Sequence, residues 1–251
     1  EGDILAARFW HAAYERLKAS GAVHLEKDGK NSGCWVMPLT ETEEFKNLED
    51  PDKVIVRGDG TVTYVGKDIA YQMWKFGLLG ADFRYRPFHD YGGGKVVWTT
   101  DTEGGSAEDH PDFGNAAQVY NVIDVRQSYL QQIVKNALRL MGHPSQADRS
   151  VHYSYEMVAL TPRTEEALGF ELTDEDRASA YVEMSGRRGL GVKADDLLDR
   201  LQADARAKVA EASAERGLGL SPADLDRTAA AIAVGALRYY MAKVTRNRVI
   251  A

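Results

Sequence analysis

Apolar residues recur at helical spacing over the first twenty positions. Leu5, Phe9, Ala13 and Leu17 share one face, predicting a helix over Asp3–Ser20 with Gly21 as its stop. The pattern then shortens. Val23–Glu26 and Gly33–Met37 read as strands, and the polar segment between them holds the turn-forming pair Asp28-Gly29. Lys53–Arg57, the turn Gly58-Asp59-Gly60 and Thr61–Val65 read as a second pair of strands. Helical spacing returns through Ile69, Met73 and Phe76, predicting a helix over Lys67–Phe76 that Gly77 ends. Pro87–Gln118 is rich in Gly, Asp and Thr, with one strand candidate at Lys95–Thr99, and reads as an insertion or flexible surface excursion.

Further on, Val119–Asp124 reads as a buried strand. Gln127–Met141 reads as a helix with Leu130, Ile133, Val134, Ala137 and Leu138 on one side, and His152–Leu160 as another strand. A strand, a helix of about fifteen residues and a strand form the βαβ pattern of a parallel sheet. Two helices follow. Ala194–Ser213 keeps Leu198, Leu201, Ala205 and Val209 in register. The second begins with Ser221 as N-cap, Pro222 at the first helical position and Asp224 as capping carboxylate, with Leu225, Ala229, Ile232, Ala236 and Tyr240 as its apolar face. The chain is therefore α/β, a parallel layer over residues 1–190 giving way to a helical segment over 191–251.

Composition narrows the class. The 251 residues are 44% hydrophobic and 27% charged, enough for one large domain or two small ones. No apolar run has the length of a membrane span, and no export signal is visible. A single cysteine, Cys34, excludes an intrachain disulfide and a multi-cysteine zinc site, pointing to a reducing, cytoplasmic setting. The six histidines show no pairing at ligand spacing, so no structural metal is expected. A net charge of −7 argues against gripping nucleic acid over the whole surface, DNA included, while leaving room for local RNA contacts. Both ends fall in folded-looking sequence, as expected of a piece of a longer protein.

Three segments carry candidate chemistry. In Tyr64-Val65-Gly66-Lys67-Asp68-Ile69-Ala70 a carboxylate stands where a strand gives way to a helix. The helix dipole and free amides there favour an ionised Asp68. A fixed carboxylate beside the Tyr64 hydroxyl suits a planar cation such as a guanidinium; the same pattern also describes a plain helix cap and a sheet tyrosine. In Val122-Ile123-Asp124-Val125-Arg126-Gln127 polar groups stand at the end of a parallel strand, where open α/β sheets bind ligands. Gln127 could present its amide and Arg126 could meet an anion, or the segment is a turn capped by Asp124. In Glu183-Met184-Ser185-Gly186-Arg187-Arg188-Gly189 small residues alternate with arginines, as in a loop closing over phosphates or in a solvated loop. Gly92-Gly93-Gly94-Lys95 lacks the spacing and the Ser or Thr of a phosphate loop and reads as a surface turn.

Taken in order, these segments resemble class I arginyl-tRNA synthetases. Tyr64-x-x-x-Asp68-Ile69-Ala70 is similar to a signature whose tyrosine and aspartate recognise arginine, and Gln127 takes the place of a glutamine that also faces the amino acid. The strand around Met157 and Val158 resembles the one bordering adenine. Glu183-Met184-Ser185-Gly186-Arg187 stands where the family's Lys-Met-Ser-Lys-Ser-type loop lies. The resemblance implies a partial Rossmann-type sheet with a hairpin-rich insertion over about 87–118, then helices leading toward a helical anticodon-binding domain absent here. It implies arginine, ATP with Mg²⁺ and tRNA(Arg) as partners. Tyr64, Asp68 and Gln127 would bind arginine; Met157, Val158 and Met184 would border ATP; Ser185 and Arg187 would act in the loop. The His-x-Gly-His half is absent and Glu183 and Gly186 replace the loop's lysines, so this piece alone is expected to be inactive. A non-catalytic module binding arginine or an adenylate is the alternative.

Overall fold

The computed structural model describes residues 2–39, 45, 52–104, 106–182 and 192–251. They separate into two compact units, 1–153 and 154–251, a different cut from the division at residue 190 drawn on sequence.

In the first unit the predicted N-terminal helix is two helices, α1 (Gly2–Ala6) and α2 (Phe9–Ala19). Arg8 between them adopts the left-handed conformation, φ 54°. Asp3 on α1 accepts the Thr100 hydroxyl, while α2 buries Phe9, Ala13 and Leu17 completely. One straight rod would have to meet both demands, and Arg8 absorbs the change of direction. Strands β1 (His24–Leu25), β2 (Trp35–Pro38) and β3 (Asp52–Val56) form an antiparallel sheet in that order. The expected strand Thr61–Val65 shrinks to a bridge between Val56 and Val62. The chain is already helical at Tyr64, in α3 (Tyr64–Lys75). Thr63 stands at the N-cap, its hydroxyl turned to the carbonyls of Val54 and Ile55. Val65, Ile69 and Met73, four apart, enter the core with Ala70. Gly77, at φ 69°, ends α3: its N–H donates to Trp74 and that of Leu78 to Met73, the paired bonds of a left-handed helix stop.

The stretch from Pro87 onward is not a loose excursion. β4 (Arg84–Asp90) pairs antiparallel with β5 (Val96–Asp101) around the Gly92–Gly94 turn. β6 (Val119–Asp124) and β7 (Ser150–Tyr155) form the small parallel sheet, joined by α4 (Ser128–Leu140) and α5 (Pro144–Asp148). Expected as a buried strand, β6 buries Val119 and Asn121 and leaves Tyr120 and Val122 exposed. A two-stranded sheet here has one covered face. Ile133, Val134, Ala137 and Leu138 of α4 complete a single core with α2, α3 and the β2–β3 sheet.

In the second unit β7 has ended at Tyr155, short of the expected Leu160. The backbone continues as isolated bridges from Val158 to Ile250 and from Leu160 to Val182. Two short helices, α6 (Pro162–Ala167) and α7 (Asp174–Ala178), were not foreseen. The long pair α8 (Ala194–Glu215) and α9 (Pro222–Lys243) packs together. Ser221 and Pro222 start α9 as predicted, with Ser221 accepting from the Asp224 N–H. Its buried seam runs through Ala229 and Ala233, so Ile232, Ala236 and Tyr240 of the expected face are exposed. Alanines let two helices approach closely, and the larger residues flank that contact.

Gly66 decides how closely α3 sits on α2. A Cβ there would lie 2.9 Å from both Trp10 Cζ3 and Val62 Cγ1. Glycine to alanine inside a helix ordinarily stabilises by roughly 0.4–1 kcal/mol. Here overpacking reverses the sign: Gly66→Ala is expected to lower unfolding free energy by about 1–3 kcal/mol, read by urea denaturation.

Candidate functional site

Helix α3 has two characters. One face feeds the core; the other carries Tyr64, Asp68, Tyr71 and Lys75, spaced by four, three and four residues and so stacked along one stripe. Tyr64 is 80% exposed, with Lys67 Nζ 5.6 Å from its ring centroid. Asp68 is half-buried and accepts no hydrogen bond from any described residue. Because the helix starts at Tyr64, Asp68 is its fifth residue, beyond the free amides of the first turn. The expectation of a dipole-stabilised carboxylate is therefore corrected. Burial pushes the Asp68 carboxyl up from its ordinary value, and the positive charge of Lys75 opposes that. Lys75 is affected in the opposite sense, burial pulling its ammonium down and Asp68 holding it up. Its Nζ lies 4.6 Å from the Tyr71 ring centroid.

Below the stripe lies a chain of amides that sequence reading missed. Lys75 Nζ donates to Asn121 Oδ1 at 2.9 Å. Asn121 Nδ2 donates to Gln72 Oε1 at 3.2 Å and to Gln131 Oε1 at 2.8 Å. Gln72 Nε2 donates to Ser150 Oγ at 2.7 Å. The four uncharged members are all buried, and they come from α3, β6, α4 and β7. Their one visible signal was a polar residue at an inward position: Asn121 alternates with Val119, and Gln131 precedes the buried Ile133 and Val134.

Of the other expected site residues in the first unit, Gln127 is not on this helix. Gln127 is exposed at the end of a 3₁₀ turn, Val125–Gln127, that follows β6. Asp124 caps that turn, accepting from the Arg126 N–H at 2.8 Å and its Nε at 2.9 Å. Those bonds hold the Asp124 carboxyl below its usual range, and Arg126 is ion-paired with it. Met157 and Val158 belong to the second unit. There the Met157 carbonyl accepts from the Ile250 N–H at 3.2 Å and Val158 is exposed. Met184, Ser185 and Arg187, with the rest of the expected loop, lie outside the described residues.

The described first unit is α/β, with an aromatic–carboxylate stripe on one face of α3. Comparison with known proteins shows what the chain is similar to. No family model matches the chain. It is 32% identical over 250 residues to the arginine–tRNA ligase of Deinococcus radiodurans, covering all of this chain and 37% of that protein. Against the arginine–tRNA ligase of Thermococcus sibiricus it is 34% identical over 252 residues, covering 35% of it. The solved arginyl-tRNA synthetase of Thermus thermophilus superimposes on the whole chain at a TM-score of 0.71, with 31% identity, over 36% of its own length. The chain is thus homologous throughout to arginyl-tRNA synthetases and spans about a third of the length of the relatives it matches.

The amide chain should be measurable as stability. Ser150→Ala leaves the buried Gln72 amide without its acceptor, and unfolding free energy should fall by about 1–3 kcal/mol. Adding Gln72→Leu should cost less than its single change does. An unchanged urea midpoint for Ser150→Ala would show that Gln72 reaches water.

Proposed function

We propose that the chain is part of the catalytic domain of an arginine–tRNA ligase and holds its guanidinium-selecting site. The observation carrying this is the pairing of exposed Tyr64 with half-buried Asp68, which accepts no hydrogen bond from the described residues, one turn apart on α3, in a chain homologous end to end to that family. A carboxylate held on a packed helix can accept two parallel N–H bonds from a planar guanidinium. A lysine ammonium cannot reproduce that fork. Tyr64 adds a hydroxyl and an aromatic face at the same point.

On this reading the reaction has two steps. The carboxylate of arginine attacks the α-phosphate of ATP, forming arginyl-adenylate as the β- and γ-phosphates leave as pyrophosphate, and the arginyl group then passes to a terminal ribose hydroxyl of tRNA(Arg) with release of AMP. The protein positions the groups and stabilises developing charge, without a covalent intermediate on the chain. Gln127 would orient the amino acid, and the backbone at Met157 and Val158, with Met184, would border the adenine. Ser185 and Arg187 would close on the phosphates. Mg²⁺ would arrive with ATP, held mostly by phosphate and water. The complete reaction belongs to the longer proteins of the family; this chain by itself is read as an arginine-selecting piece without aminoacylation activity.

Calorimetry on the full chain tests the reading. Arginine should bind, lysine should not, and Asp68→Ala should weaken arginine by about 100-fold or more, the scale of breaking a buried ion pair. Tyr64→Phe should lose far less. Equal binding of lysine, or arginine binding indifferent to Asp68→Ala, would sink it.

A further inference from the structure

Helices α1 and α3 and the β4–β5 hairpin enclose a cleft of about 340 Å³, a volume in the range of small-ligand sites. Its wall is aromatic. Tyr71 and Trp74 come from α3, Tyr85 from β4, Trp98 from β5, and Phe83 and Phe113 from the chain on either side of the hairpin. The rings are in mutual contact: Tyr71 stacks on Trp74 with centroids 5.3 Å apart, Phe83 meets Trp74 edge-on at 4.9 Å, and Phe113 lies 4.9 Å from Tyr85. Tyr85 is buried whereas Tyr71 and Phe113 are exposed, so the wall has a closed end and an open one. Tyr64 and Asp68 do not line it.

The polar atoms of this wall are largely engaged by the protein itself. Trp74 Nε1 and the Tyr85 hydroxyl both donate to Asp82 Oδ1, at 2.7 and 2.9 Å. The Thr100 hydroxyl donates to Asp3. Asp3 is the charged residue among those lining the cleft, and a carboxylate has more acceptor capacity than one hydroxyl uses. The surroundings carry the same sign: residues 82–112 hold seven Asp and Glu side chains against three Arg and Lys. The nearby cations have other neighbours. Arg86 stands 3.9 Å from Asp101, Lys75 donates to Asn121, and Arg8 and Arg84 line a separate cleft with Asp82 and Asp101.

We propose that this cleft is a binding site for an N-alkylated ammonium group, its charge set against Asp3 and its alkyl groups against the aromatic wall. Ring faces attract cations through their quadrupole, and removal from water strengthens the attraction. A guanidinium or a primary ammonium brings several N–H donors, and a wall whose tips are turned to Asp82 returns few acceptors for the water they lose. A quaternary or N-methylated nitrogen has an apolar skin and few hydrogens or none to satisfy. A nucleotide would stack on the rings, but its phosphate would meet an acidic surround. The site is separate from the arginine reading and does not depend on it.

The test is a titration of the full chain with choline, followed by tryptophan fluorescence and calorimetry. The controls are 3,3-dimethylbutan-1-ol, which has the same shape without the charge, and adenosine monophosphate. Choline should saturate, and the uncharged alcohol should bind about 10-fold more weakly or less well still. Asp3→Asn keeps an oxygen for the Thr100 hydroxyl and removes the charge; it should weaken choline about 10-fold and leave the alcohol unchanged. Trp98→Leu keeps an apolar wall and removes a ring, and should weaken choline more than the alcohol. Urea midpoints show whether each variant is folded, and the comparison of choline with the alcohol on the unmodified chain stands without either variant. Choline that does not saturate by about 10 mM, an alcohol that binds equally well, or choline binding indifferent to a folded Asp3→Asn overturns the proposal. Tighter binding of adenosine monophosphate than of choline would assign the cleft to a nucleotide and overturn it as well.

Discussion

The side-chain amide of Asn121 is the point on which the first unit is assembled. It stands on a strand, receives a lysine from one helix, and gives its two hydrogens to glutamines on two helices. Ser150 on the neighbouring strand closes the chain through Gln72. Apolar packing of Ile69, Met73, Ile133 and Leu138 supplies most of the burial between these elements, but it is tolerant of sliding. Buried amides are not tolerant, because each wrong register leaves polar atoms unsatisfied at a cost comparable to a sizeable fraction of a domain's net stability. The hydrophobic core therefore brings α3, α4, β6 and β7 together, and the amides set their relative register.

That register has a functional consequence for α3. One side of the helix is held immobile by the core, with Gly66 admitting Trp10 at close range. The opposite stripe then carries Tyr64 and Asp68 on a rigid support, which is what the proposed discrimination between a guanidinium fork and an ammonium requires. A carboxylate on a loose loop would follow either cation. Half-burial sharpens the attraction by lowering the local dielectric, and it also penalises the charge that does the attracting. For Asp68 the penalty of burial prevails, with the charge of Lys75 opposing it.

The second unit rests on simpler physics. Its two long helices meet along small residues, with Ala229 and Ala233 buried and the bulkier Ile232 and Tyr240 outside. The capping of α9 by Ser221 and of α7 by Thr173 with Asp176 is local chemistry, independent of what packs nearby. No described helix is long and apolar enough to cross a membrane.

How much of this was legible beforehand follows from the range of each interaction. Periodicity and caps act within a few residues, so the helices at Lys67–Phe76, Gln127–Met141, Ala194–Ser213 and after Ser221, and the strand–helix–strand order around α4, could be read directly. So could the spacing of Tyr64 and Asp68, whose order with the later motifs already carried the resemblance to arginyl-tRNA synthetases. Tertiary structure alone decided the break at Arg8, since it answers to Asp3 and Phe9 being anchored in different places. It also decided the pairing of β4 with β5 and the early start of α3 at Tyr64. Most of all it decided the electrostatic state of Asp68. A helix-end argument drawn from neighbours in sequence pointed toward easy ionisation; burial beside Lys75 reversed the direction, because desolvation depends on everything packed around a group. Asn121, Gln72, Gln131 and Ser150 come from positions up to 78 residues apart, and no local pattern announces that four polar side chains will meet in one buried chain.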